Sequence, residues 1–208
     1  MEPLKKKELI ARGAEANIRR GEWKGRELVI KERVAKGYRL PELDQELRRA
    51  RTKKEARLIR EAKKAGVPTP IIYDVVPEEH TIVMQWFPGH RVMECIEQGM
   101  GVDMSLIGEF IGKLHRANLS HGDLTTSNIL FYPPNQDYCF IDFSLGEFQV
   151  DLEEKGVDLH LLKEALVSVH ENALELYEQV LEGYLRTYPE GEEVIRRTKE
   201  IESRGRYQ

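Results

Sequence analysis

Residues 121–130 read HGDLTTSNIL, and no other stretch restricts the fold as much. A histidine, an aspartate and an asparagine share one turn-rich octet between a helical pattern and an apolar run. Upstream, Leu106, Ile107, Phe110, Ile111 and Leu114 recur at helical spacing, with Asp103 placed to cap the helix. Downstream, NILFY and YCFID flank the turn PPNQ and predict a short hairpin. A rigid loop between helix and strand projects Asp123 and Asn128 together, while Asp142 arrives from the far end of the hairpin. Such hard oxygen donors suit magnesium, which keeps waters and is shared with substrate phosphates. In that geometry Asn128 and Asp142 hold metal, and Asp123 accepts a proton from an attacking hydroxyl or orients a water.

The rest of the chain frames this loop. ELIARGAEANIRRGEW and RELVIKERV predict three antiparallel strands over residues 8–34, turning at KGRE. A helix is expected from Pro41 to Ala65, with Leu43, Leu47, Leu58, Ile59 and Ala62 on one stripe and Gly66 and Pro68 as its stop. TPIIYDVV and TIVMQWF, joined by PEEH, read as a hairpin that PGH breaks at residues 88–90, and everything beyond Val157 reads as helix. The expected organisation is α+β, with a strand-rich half over residues 1–87 and a mostly helical half over 88–208.

Composition narrows the classes further. A formal charge of −4 excludes wholesale attraction to nucleic acid and leaves only local contacts. Two cysteines, Cys95 and Cys139, with no C-x-x-C, suggest neither a disulfide framework nor structural zinc. No apolar run is long enough to span a bilayer, so a cytoplasmic protein without a membrane partner is expected.

HGDLTTSN and IDFS resemble the catalytic loop H-R-D-L-x-x-x-N and the D-F-G of the protein-kinase superfamily. That resemblance calls for a strand lysine that reaches phosphate and pairs with a helix carboxylate. LVIK supplies Lys31, with Val29 on the same strand face against the adenine. Glu55 is the candidate acid, because it lies on the inward stripe whereas Glu42 and Glu46 lie off it. RGAEAN offers Gly13, Ala14, Glu15 and Ala16 as a phosphate-covering loop with only one glycine. MQWF places Met84, Gln85 and Phe87 where backbone groups bond the adenine edge; the alternative is an ordinary edge strand with Trp86 and Phe87 as core. Asp158 opens a predicted helix, where the dipole favours a carboxylate; the resemblance adds that it steadies the catalytic-loop backbone together with His121.

Only fifteen residues separate Asp142 from Asp158, with no A-P-E and no room for a long activation segment. Small size, RTKKEARLI, HGDLTTSNIL, IDFSLG and a basic tail together resemble the small atypical kinase subunits of the KEOPS (EKC) complex. That resemblance implies a two-lobed kinase-like fold that binds ATP and Mg2+, can phosphorylate serine or threonine, and works chiefly as an ATPase. It implies partners as well: the tRNA threonylcarbamoyl transferase subunit through the C-lobe and tail, a small regulatory subunit through the N-lobe, and tRNA through the complex. Arg204 and Arg206 are candidate contacts to partner or tRNA, against the plain reading of a solvated helix end. A RIO-like kinase, a small-molecule phosphotransferase and a non-catalytic nucleotide-binding scaffold are the alternatives.

Overall fold

A computed structural model describes residues 5–205. The chain divides into two compact units, one comprising residues up to Arg60 with Pro70–Phe87, the other Glu61–Thr69 with Pro88 onward.

The first unit is an antiparallel sheet with one long helix. Strands β1 (Lys5–Arg12), β2 (Ala16–Trp23), β3 (Arg26–Arg33), β4 (Ile72–Val76) and β5 (Thr81–Gln85) lie in the order β1-β2-β3-β5-β4. The β2–β3 hairpin turns on Lys24 and Gly25, both at positive φ, and that twist matches the strands it joins. Alternation along β3 separates two faces. Leu28 and Ile30 pack with Val83, Trp23 and Tyr73, whereas Val29 joins Ile72, Val75, Ile82 and Met84 on the side that meets Ala56. Ala56 belongs to helix α1 (Pro41–Lys64), which has acids in its first turn and lysines in its last, as the helix dipole favours. Past its end, Val67 N–H reaches back to the Ala62 carbonyl and Gly66 sits at φ +88, the left-handed stop that the sequence predicts.

The inward stripe of α1 differs from the expected one. Leu43 is 49% exposed, while Asp44, Thr52, Glu55, Ala56, Leu58, Ile59 and Ala62 are buried. The early turns bury an ionic group instead of a leucine: Asp44 accepts from Arg48 and from the Lys36 main chain, with Arg39 at 3.5 Å.

The second unit holds helices α2 (Val92–Glu97), α3 (Met104–Arg116), α4 (Leu152–Val167), α5 (Ala173–Thr187) and α6 (Glu192–Gly205). It also holds the small sheet β6 (His90–Arg91), β7 (Ile129–Tyr132) and β8 (Asp137–Phe140), in that order. Two residues suffice for β6 to pair with Leu130 and Phe131, although no apolar run announces it. Helices α3 and α5 approach to backbone contact: a Cβ on Gly108 would meet the Val180 carbonyl at 2.0 Å, and one on Gly183 the Ser105 carbonyl at 1.8 Å. Helix α4 starts at Leu152, six residues before Asp158, behind a reciprocal cap between Asp151 and Glu154. Asp158 is therefore a buried residue of the second turn, and the reading of it as a helix-opening carboxylate is corrected.

Candidate nucleotide and metal site

In the first unit, Lys31 and Glu55 meet. Lys31 Nζ lies 2.6 Å from Glu55 Oε1, with side-chain exposures of 5% and 1%. Arg33, two residues along the same strand face, pairs with Glu55 Oε2. Sequence reading missed this second cation, although the period of two in IKER carries the signal. Val29 shares the Lys31 face and is partly buried against Ala56, Ile82 and Met84. Gly13, Ala14 and Glu15 form the short link between β1 and β2, and Ala16 opens β2. Met84 and Gln85 are β5 residues; Gln85 N–H donates to the Ile71 carbonyl, which leaves that amide unavailable to a base. Phe87 is half-buried, and the neighbouring Trp86 ring stacks under the Arg20 guanidinium at 4.7 Å.

In the second unit the octet follows α3 after four residues, 117–120. Asp158 Oδ2 accepts from His121 N–H at 2.6 Å and Oδ1 from Gly122 N–H at 2.8 Å, so one carboxylate fixes two successive peptide groups. His115 stands behind it, with Nε2 3.2 Å from Asp158 Oδ2 and Nδ1 2.9 Å from Tyr184 Oη. Asp158 already accepts from two main-chain amides, so Nε2–H donates to it and Nδ1 accepts a hydrogen bond from the Tyr184 hydroxyl. Burial pushes the Tyr184 hydroxyl far up, which keeps that proton in place. Sequence reading missed His115 and Tyr184; a histidine on the apolar face of α3, next to Leu114, was the available sign.

His121 does the corresponding work within the loop. Its Nε2–H donates to the Ile141 carbonyl at 3.0 Å and its Nδ1 accepts from Asp123 N–H at 3.4 Å. Both bonds need the neutral ring, and complete burial holds its pKa below the ordinary 6.5 despite nearby Asp158, Asp142 and Asp123. Asn128 Nδ2 donates to both the main-chain carbonyl and Oδ2 of Asp123, each at 2.9 Å. Its amide nitrogen is thereby committed, and the carbonyl oxygen is the group it offers to a cation. Asn128 O also accepts from Ile141 N–H at 2.9 Å, tying the loop to the residue before Asp142. Asp142 sits at φ +63, and its Oδ1 accepts from Ser144 Oγ at 2.6 Å.

The segment after Asp142 is fastened onto the loop. Ser120 and Glu147 exchange hydrogen bonds at 3.1 Å, Val150 N–H donates to the Asn118 carbonyl, and Leu119 bridges to Phe148. A Cβ on Gly122, at φ +79, would come within 2.2 Å of the Leu145 carbonyl. That contact explains HGD where the kinase loop has H-R-D.

Among the described residues no three His, Cys, Asp or Glu side chains gather as a self-sufficient metal cage. Asn128 and Asp142 instead supply two hard oxygen groups, which fits a magnesium ion whose other ligands are phosphate and water. Cys139 offers no thiolate alternative, because burial pushes it up to about 12. Arg204 lies 2.9 Å from Glu153 on α4, an ion pair within the chain, and Arg206 lies outside the described residues.

Comparison with known proteins identifies the family and the fold. The model of the lipopolysaccharide kinase (Kdo/WaaP) family matches residues 7–188. A KEOPS complex subunit Bud32 from Pyrococcus abyssi is 42% identical, over 96% of both chains. A probable bifunctional tRNA threonylcarbamoyladenosine biosynthesis protein from Methanothermobacter thermautotrophicus is 48% identical over 201 residues. That match covers 96% of this chain but 36% of the relative, so the chain spans about a third of that longer protein. Among solved structures, the Rio2 kinase of Chaetomium thermophilum aligns with a TM-score of 0.62 at 17% identity, over 98% of this chain and 73% of that one. The fold is therefore kinase-like.

Proposed function

Since the chain belongs to the Kdo/WaaP lipopolysaccharide kinase family and to the family of the KEOPS complex subunit Bud32, we propose that it is an ATP- and Mg2+-dependent phosphotransferase and ATPase supporting threonylcarbamoyladenosine modification of tRNA. The observation that carries this reading is the Lys31–Glu55 pair. Burying two charges costs several kcal/mol that an apolar pair of similar volume avoids, so the pair makes little sense as a stability device. It makes sense as a lysine held straight for phosphate oxygens.

In this reading Lys31 grips the phosphates and Glu55 orients it. Residues 13–16 cover the phosphates, Val29 lies against the adenine, and backbone groups within 84–87 meet its edge. Asn128 and Asp142 would hold magnesium, whose charge would offset that of the phosphoryl oxygens. Asp123 accepts the proton of the attacking group, and the Asn128 amide on its Oδ2 keeps the other oxygen turned to that task. Asp158 and His121 hold the loop backbone at no cost at the moment of reaction. A post-Asp142 segment bonded to the loop leaves no platform for an extended peptide, which favours water, or a serine or threonine brought close by a partner, as acceptor. The partners proposed are the threonylcarbamoyl transferase subunit at the second unit and tail, a small regulatory subunit at the first, and tRNA through the assembly.

The test is ATP turnover by the chain alone and with the transferase subunit and tRNA, comparing wild type with Asp123→Ala and Asp142→Ala. Removing a metal ligand or proton acceptor is expected to cut kcat about 100-fold or more. Normal turnover in Asp142→Ala would reject the enzyme and leave a nucleotide-binding scaffold. Phosphoserine detected by mass spectrometry separates kinase from ATPase behaviour.

A further inference from the structure

The link between β1 and β2 is three residues long, and it is bound sideways to the connection between β3 and α1 and to α1 itself. Lys36 Nζ donates to the Ala14 carbonyl and lies 3.4 Å from Glu15 Oε1. Val34 N–H donates to the Glu15 carbonyl at 3.1 Å. Arg51 Nη1 lies 3.0 Å from Glu15 Oε2. Arg51 stands one turn before Glu55, so one side of α1 holds the loop at one turn and Lys31 at the next.

A carboxylate in a loop that covers phosphates is an electrostatic fault unless something draws it aside and neutralises it. Lys36 and Arg51 do both. Partial burial opposes ionisation of Glu15, but the Lys36 hydrogen bond and the charges of Lys36, Arg51 and Arg33 outweigh it and hold the carboxyl below its ordinary range. The same clasp answers the shortage of glycine. Glycine-rich loops reach a phosphate through backbone freedom, whereas a loop with Gly13 alone has to be set in place by its neighbours.

Resting on the nucleotide role proposed above for residues 13–16, we propose that Glu15 is a positioning residue whose carboxylate, clasped by Lys36 and Arg51, makes the phosphate-covering loop a fixed extension of α1. Nucleotide affinity then depends on the clasp, while the chemical step does not.

The experiment measures ATP turnover and amide hydrogen exchange for the full chain as Glu15→Gln, Arg51→Gln, the double variant and Arg51→Lys. Each glutamine variant is expected to raise KM for ATP about two- to fivefold, the span for losing one partly exposed ion pair, with kcat unchanged. The double variant is expected to be no worse than the worse single one, and Arg51→Lys to stay near wild type. Exchange at residues 14–17 quickens in both single variants without nucleotide. A wild-type KM in both glutamine variants, or penalties that multiply in the double, overturns the proposal. A wild-type chain that binds no nucleotide defeats the function proposed above instead; the exchange data then decide the clasp, faster exchange supporting it and unchanged protection overturning it.

Discussion

Glu55 pairs with two cations in a place with almost no water, and its removal takes that carboxylate away from both. Glu55→Gln is expected to destabilise the protein by about 3–5 kcal/mol, the usual cost of breaking a buried pair from one side. Urea unfolding measures it, and a loss below about 1 kcal/mol would show that water reaches Lys31 and Arg33. His121 sets a pH dependence of definite sign. Neutral in the fold and free to protonate when unfolded, it contributes its stability fully above pH 6.5 and loses it as pH falls through that value. His80, lowered first by burial and then by Arg48, adds to the same slope. Thermal unfolding between pH 8 and 5 should show the fall, and His121→Asn should flatten it without abolishing it. At this scale the sequence disclosed the residues that motifs name, because a motif fixes spacing. It hid Arg33, His115 and Tyr184, because each acts through a partner from another element that no local spacing identifies.

Helices α3 and α5 touch backbone to backbone only because Gly108 and Gly183 lack side chains. Gly183→Ala is expected to cost about 3 kcal/mol: a methyl group there overlaps the Ser105 carbonyl, and neither helix can retreat without losing contacts elsewhere. The gain in helix propensity of about 1 kcal/mol from replacing glycine is too small to offset that. A variant as stable as wild type in urea would refute the close approach. Most elements were legible from periodicity: β1 to β5, α1, α3 and the β7–β8 hairpin fall where alternation and helical spacing place them. Four features escaped, the start of α4 at Leu152 among them. Strand β6 is two residues long and has no pattern to detect. Helix α2 has one and a half turns, too few for a periodic signal. The inward stripe of α1 runs through Asp44, Thr52 and Glu55, so a search for apolar residues alone was drawn to Leu43.

At the scale of the molecule, similarity along nearly the whole chain establishes the family, and nucleotide binding is the property that tests the proposed activity most directly. If Mg2+ and ATP bind the folded protein alone, a hundredfold excess over Kd adds about 2.7 kcal/mol to its stability. A rise in melting temperature with Mg·ATP is therefore expected, absent with ATP and chelator, and lost in Asp142→Ala. An equal rise in that variant would move the metal elsewhere. The expected order of a strand-rich half followed by a helical half was readable because a catalytic motif anchors the sequence to one architecture. The partners were not readable from composition or periodicity, since an acidic chain with scattered basic surface residues carries no address for a particular protein. Among the described residues no helix is long and apolar enough to cross a membrane.

Gly122 has one more implication. In kinases whose segment is ordered by phosphorylation, arginines receive the new phosphate; here the Leu145 carbonyl occupies the room an arginine at position 122 would need. A phosphoryl group added to residues 143–150 would find no arginine at position 122 to receive it, and the loop is held by hydrogen bonds to that segment instead. In the function proposed above, timing would then be set by partners and not by a phosphate landing on this segment.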